Sequence, residues 1–140
     1  QKNKISLDLC DKVIAQKPDR NYIAHSNYIA GLYYENIGNT ATAIEKFNAC
    51  IQKNYYYLDA YLEVGWIYFD QQKYAAAIEF FETATAVKPT DASAHYWTAK
   101  CLEKLGQSDK AINAYQLAFN LDNSLSEASE AISRINAAKK

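Results

Sequence analysis

The chain repeats itself with a period of 34 residues, and that period constrains the fold more than any other feature. Shifted by 34, Gly31 falls on Gly65 and then on Ala99, Ala30 on Val64 and Thr98, and Tyr34 on Tyr68 and Leu102. Further along, Ala43 falls on Ala77 and Ala111, Ile44 on Ile78 and Ile112, Phe47 on Phe81 and Tyr115, and Cys50 on Ala84 and Ala118. Small residues match small and large match large across three copies. A period of this length marks a supersecondary unit that buries its apolar face by stacking on its neighbours.

The spacing within each copy is helical. Only four Gly and two Pro punctuate 140 residues, and β-type alternation is missing. Ala30, Gly31 and Tyr34 lie at i, i+1 and i+4 on one face of a first helix. Ala43, Phe47 and Cys50 lie at i, i+4 and i+7 on one face of a second. Gly38 and Gly106 fall between the two, where a helix end favours a residue tolerant of positive φ. Gly31 and Gly65 fall inside helices, at a cost of about 1 kcal/mol each relative to Ala. Close approach of a neighbouring helix would offset that cost. Asp91 is the expected N-cap of the last first-helix and Ser108 of the last second-helix.

The columns Ala30-Gly31-x-x-Tyr34 with Ala43-x-x-x-Phe47-x-x-Cys50 resemble tetratricopeptide repeats. So do Val64-Gly65-x-x-Tyr68 with Ala77-x-x-x-Phe81-x-x-Ala84-x-x-x-x-Pro89. Ala99, Leu102, Ala111, Tyr115 and Ala118 continue them in register. The resemblance covers Ala24 to Leu125. It implies an all-α fold: a right-handed superhelical solenoid of antiparallel helix pairs, with about eight helices. Residues 1–20 are expected to form the second helix of a truncated repeat, with Ser6, Cys10 and Val13 in the Ala, Phe and Ala slots. Repeats then run over 21–57, 58–91 and 92–125, followed by a capping helix over 126–140 that presents Ala128, Ile132 and Ile135. Pro18 to Gly31 is three residues longer than Pro89 to Ala99, which should lengthen the intervening helix by nearly a turn. The sequence contains no Met, which suits a processed product or an excised fragment.

Chemistry-bearing patterns are scarce. The net charge of −1 gives no electrostatic footprint for nucleic acid or an anionic membrane. No apolar run approaches the ~18 residues of a membrane span. Helical RNA-reading repeats have a similar length, but the charge and the columns speak against them. His25 and His95 stand in different columns, and no HExxH, EF-hand, phosphate-loop or nucleophile-elbow pattern occurs, so no catalytic residue, metal or cofactor is expected. Cys10, Cys50 and Cys101 form no CxxC pair and read as small buried packers. Cys101 as a nucleophile lacks any neighbour that would lower its pKa. The cysteines favour a reducing, cytoplasmic compartment, while a periplasmic or lipid-anchored parent stays compatible.

In the family resembled, the first helix of each pair lines a concave face that commonly binds a peptide or a partner helix. Mapped onto this sequence, that face carries Tyr28, Leu32, Glu35, Asp59, Leu62, Glu63, Trp66, Phe69, Asp70, Tyr96, Trp97, Lys100 and Lys104. The subclass that grips chaperone tails by a terminal carboxylate uses five Lys, Asn and Arg columns. Here they hold Tyr28, Leu32, Glu63, Ser93 and Trp97, so that ligand is not expected. Tyr28, Leu32, Leu62, Trp66 and Phe69 would form an apolar strip flanked by Glu35, Asp59, Glu63 and Asp70, with Lys100 and Lys104 reversing the sign in the third repeat. The alternative is that some of these rings only pack between first helices.

The resulting expectation is a non-catalytic interaction module for a protein or peptide with apolar and basic side chains, anchored on Trp66 and Phe69. A second reading is a structural spacer, or weak self-association through an N-terminal helix whose Cys10, Val13 and Ile14 leave an apolar edge. Within the ring-dense stretch Asn54 to Asp70, Tyr61 and Tyr68 fall in core columns. Tyr55, Tyr56 and Tyr57 are expected to pack as a bulky inter-repeat turn.

Overall fold

The structure, a computed structural model, describes residues 2–15 and 19–140, without the side chains of Lys2, Asn3, Ile5, Ser6 and Val13. The expected slots of Ser6 and Val13, and Pro18, therefore lie outside the described residues. Within them the chain forms eight α-helices and no strand: α1 Lys2–Ala15, α2 Arg20–Asn36, α3 Thr40–Lys53, α4 Leu58–Asp70, α5 Tyr74–Val87, α6 Ala92–Lys104, α7 Ser108–Leu121 and α8 Ser126–Ala138. The chain divides into two compact units, Gln1–Val64 and Gly65–Lys140, with the division inside α4. In the first unit α2 packs on both α1 and α3; in the second, α5 to α8 pack in succession.

The expected extension of the first full repeat is present. α2 has 17 residues, whereas α4 and α6 have 13 each. Asp19 starts it, accepting a hydrogen bond from the Asn21 backbone N–H at 3.2 Å.

The turns within pairs repeat one device. Gly38 and Gly106 adopt φ of 79° and 77°, and Gln72, in the same column, adopts 60°. At each, the positive-φ residue donates to a carbonyl three back, and the next residue to one five back. These are Gly38 to Glu35 with Asn39 to Tyr34, Gln72 to Phe69 with Lys73 to Tyr68, and Gly106 to Glu103 with Gln107 to Leu102. Carbonyls at the end of the first helix are thus satisfied within the turn.

The residue after each turn is the N-cap of the second helix. Asn39 fills that role with its side chain, accepting from the Thr42 N–H at 3.3 Å. Its 34-residue equivalents are Lys73 and Gln107, which make no side-chain cap bond. The N-cap expected at Ser108 is therefore one residue out, because Ser108 is already the first helical residue of α7. Asp91 caps α6 as expected, accepting from Ala94 N–H at 2.8 Å.

The small and large columns meet inside each unit. Ala30, Ala43, Phe47 and Cys50 are buried in the first, and Ala77, Phe81, Ala84, Ala99, Ala111, Tyr115 and Ala118 in the second. A Cβ added to Gly31 would stand 2.5 Å from the Phe47 ring, and one added to Gly65 would stand 2.5 Å from the Phe81 ring. Each phenyl ring thus occupies the space that a side chain on the facing helix would need. α8 closes the second unit with Ala128, Ala131 and Ile135 buried and Ile132 packed against them.

One expectation about the turns is corrected. Tyr57 packs inward, whereas Tyr55 and Tyr56 are 59% and 75% exposed and Tyr55 keeps one inward contact, edge to face with buried Tyr61 at 6.1 Å. The Tyr55 and Tyr56 rings also meet each other edge to face at 5.6 Å.

Two substitutions in the second unit test this account by urea unfolding. Gly65→Ala gains helix propensity of about 1 kcal/mol but crowds Phe81, and overpacking costs roughly 1–3 kcal/mol; a net loss is expected. Gln72→Gly relieves a left-handed side-chain conformation and should raise stability by about 0.5–1 kcal/mol.

Candidate functional site

The first-helix residues fall into two separate sets, one in each unit, with α4 contributing to both. In the first unit, α2 supplies His25, Tyr28 and Glu35, and the start of α4 supplies Asp59 and Glu63. His25 Nδ1 and the Tyr57 hydroxyl are hydrogen-bonded at 2.7 Å. The Tyr57 ring lies 5.1 Å from that of Tyr28, which also meets Phe47 at 5.7 Å. The Tyr28 hydroxyl donates to Glu63 Oε1 over a long 3.4 Å. Leu32 is half-buried on the same helix, and Asp59 is exposed. Leu62 is buried, at 5% exposure, and so belongs to the packing rather than to an exposed strip.

Glu63 is the electrostatic centre of this set. Burial, then the neighbouring Glu35 carboxylate, then Asp59 raise its pKa to about 7, against a partial opposing effect of the Tyr28 hydrogen bond. Glu63 and Glu35 are also hydrogen-bonded side chain to side chain. Two carboxyl groups this close do not ionise together easily, so the pair holds a proton near neutral pH. Burial foremost, with the charge of Glu63 next, also raises the Tyr28 pKa, and burial pushes the Tyr57 hydroxyl up to about 12.

In the second unit the rings gather on Trp97. Trp66 meets it edge-on at 6.0 Å and Phe69 at 5.3 Å; Phe81 stacks on it at 5.9 Å; Tyr96 meets it edge-on at 5.7 Å. Trp66 is half-buried, and its Nε1 is shielded, with no acceptor among the described residues. It therefore presents ring carbon rather than its N–H. Tyr61, expected in the core, is buried, with its hydroxyl likewise lacking a partner; Tyr68, assigned to the same core columns, is half-buried. Asp70 and Lys104 are exposed.

Lys100 does not stand out in solvent. Its ammonium lies 5.0 Å from the Trp97 ring centroid, 5.6 Å from Tyr96 and 5.7 Å from Phe69. Of the two lysines expected to reverse the sign of the face, Lys100 thus lies against rings, while Lys104 is exposed.

A further group escaped the sequence reading. The Tyr115 hydroxyl donates to Glu103 Oε2 at 2.7 Å. Both Oε atoms of Glu103 accept from the Arg134 guanidinium on α8. Arg134 foremost holds the Glu103 pKa below the ordinary carboxylate range. Nearby, Tyr96, Lys100, Tyr115, Glu127, Glu130, Ala131 and Arg134 line a cavity of about 390 Å³. α8 continues the 34-residue series of first helices after α4 and α6, and Arg134 falls in the column of Trp66 and Lys100. That column does not signal the pairing, because neither Trp66 nor Lys100 ion-pairs with a carboxylate among the described residues.

All three cysteines are free and buried. Burial pushes the Cys50 and Cys101 thiols up to about 12, which leaves them as thiols at neutral pH. No group of three or more metal-binding side chains occurs among the described residues. No helix there is long and apolar enough to cross a membrane.

Comparison with known proteins supplies the remaining context. A family model described as a tetratricopeptide repeat matches residues 28–87 and again 62–124. A crystal structure of MamA superposes with a TM-score of 0.82 at 24% identity, covering 95% of this chain and 76% of that one. The first TPR of Spaghetti (RPAP3), bound to the HSP90 peptide SRMEEVD, gives 0.77 at 19% identity, covering 86% and 94%. The Yersinia enterocolitica type III secretion chaperone SycD, in complex with a peptide of the translocator YopD, gives 0.76 at 20%, covering 83% and 94%. At these identities the likeness establishes the fold. A search of curated protein sequences finds no match.

The Glu63 carboxyl generates a pH test. Its folded pKa lies above the ordinary value of 4.5, so the folded chain binds the extra proton. The stability that Glu63 contributes should therefore be fully present below about 4.5 and be lost as pH rises through about 7. Thermal melts of Glu63→Gln should lose that component of the pH profile; an unchanged profile would remove the carboxyl pair as its source.

Proposed function

From the premise that the chain belongs to the tetratricopeptide repeat family, we propose that it is a non-catalytic protein-interaction module. In this reading it binds a peptide or partner helix on the faces of its first helices. The observation that carries it is the half-exposed ring group of Trp66, Phe69, Tyr96 and Trp97 on α4 and α6. A core packs its rings away from water; these keep part of their surface at the boundary, where aromatic side chains are enriched as binding anchors.

The rest of the face favours a ligand with apolar and basic side chains. Tyr28, Leu32, Glu35, Asp59 and Glu63 offer apolar and acidic groups in the first unit, and Asp70 adds an exposed carboxylate in the second. Structures of the same fold hold peptides, as the Spaghetti and SycD complexes do. A chaperone tail of the HSP90 type is not the ligand in this reading. The columns that would grip its terminal carboxylate hold Tyr28, Leu32, Glu63, Ser93 and Trp97, and none of these is cationic.

Tryptophan fluorescence titrated with a peptide library, comparing wild type with Trp66→Ala and Phe69→Ala, tests the proposal. Loss of an anchor should weaken a detected peptide by about 2 kcal/mol, roughly 30-fold, with circular dichroism unchanged. Equal affinity in all three proteins would end it.

A second reading, self-association through α1, has one observation in its favour: Leu9 is 56% exposed beside the buried Cys10. Sedimentation equilibrium at high concentration should then show a dimer that Leu9→Glu abolishes. A strict monomer would remove this reading and leave the first untouched.

A further inference from the structure

The rings around Lys100 form a cage. Trp97, Tyr96 and Phe69 each present a ring within 6 Å of one ammonium, the range in which a ring quadrupole attracts a cation. Lys100 forms no ion pair among the described residues, so ring faces rather than a carboxylate hold its charge. Trp97 is fixed in turn by Trp66 at one edge and Phe81 on one face. The cage is preorganised by packing that does not involve the lysine.

Lys100 also borders the cavity of about 390 Å³, whose lining includes Glu127 and Glu130 on α8. Neither glutamate forms an ion pair among the described residues. The lysine stem therefore has two destinations: the rings it now covers, and a space bordered by Glu127 and Glu130 and by Arg134, whose own charge is paired with Glu103. Exchange between them requires only rotation of a flexible four-carbon chain.

We propose that Phe69, Tyr96 and Trp97 are a binding site for a cationic side chain, which Lys100 fills from within. A lysine or arginine of a partner peptide takes its place, while the displaced Lys100 turns toward Glu127 and Glu130. This rests on the reading of the α4 and α6 ring face as a peptide-binding surface, and it names the chemistry that face selects. Ring faces reward a weakly hydrated cation over a neutral group of equal size. Arginine or a methylated lysine should accordingly displace Lys100 more readily than an unmodified lysine, whose ammonium is strongly hydrated.

The test uses the full chain and two small probes, tetramethylammonium chloride and its neutral analogue 3,3-dimethylbutan-1-ol, with sodium chloride matching ionic strength. In the wild type, the Lys100 ε-methylene protons should resonate upfield, in the ring currents. Tetramethylammonium should return them toward the position of a solvated lysine; the alcohol should not. Lys100→Ala should bind tetramethylammonium about tenfold more tightly than wild type by tryptophan fluorescence. Lys100→Gln replaces it if the alanine variant fails to fold. Unmoved ε-protons, no gain in the variant, or equal binding of the neutral analogue would each overturn the proposal. Its failure is separable from that of the peptide reading. A peptide that binds without moving the ε-protons sinks the cage alone. A cage that takes tetramethylammonium in a chain no peptide binds sinks the peptide reading alone.

Discussion

The structure depends on a phenyl ring lying against a glycine on the facing helix. Phe47 occupies the space beside Gly31, and Phe81 the space beside Gly65, to within 2.5 Å of where a Cβ would stand. The contact decides the pairing. It sets how near the two helices come and which faces meet, and it uses a glycine that helix propensity alone would disfavour. Cores at this density tolerate little change in volume. The period of 34 residues is the sequence trace of that packing requirement.

The third copy meets the same requirement with different residues. Ala99 stands for glycine and Tyr115 for phenylalanine, and both are buried. A buried tyrosine brings a hydroxyl that needs a partner. Glu103 accepts from it at 2.7 Å and is in turn neutralised by Arg134 on α8. The change from Phe to Tyr thus links α7 to α6 and to the terminal helix by hydrogen bonds that the earlier copies lack. Because Arg134 and Tyr115 both favour the ionised carboxylate, the folded Glu103 pKa is depressed. The stability this contributes is present above the ordinary carboxylate pKa and is lost as pH falls. Its sign is opposite to that of Glu63, where burial and a second carboxyl favour the protonated form.

What the sequence made legible follows from what a period can encode. Columns gave the helix pairs, the buried small residues, the positive-φ turns and the longer α2, because each is a local or one-neighbour property. Contacts that cross columns were hidden. Ser108 looked like a cap by residue type, yet the turn geometry places the cap at Gln107, in the column of Asn39. Tyr55 and Tyr56 looked like packing by size, yet their turn leaves both largely exposed, Tyr55 touching Tyr61 by one ring contact. Leu62 falls in the same column as Tyr28 and Tyr96 but is short enough to be covered. Lys100 was read as a groove cation from its column. No column shows that three rings on two helices converge on its ammonium.

The two faces share an energetic property that bears on any ligand. The acidic set in the first unit is not bare charge, because burial and the Glu35 carboxylate raise the Glu63 pKa to about 7. The ring set in the second is not bare aromatic surface, because Lys100 covers it. Each group is already compensated from within, so a partner gains only the difference between its own contact and the internal one it replaces. Such exchange discriminates by chemistry more than by area. Internal compensation also keeps the unliganded chain free of a naked apolar patch and of an unpaired buried charge.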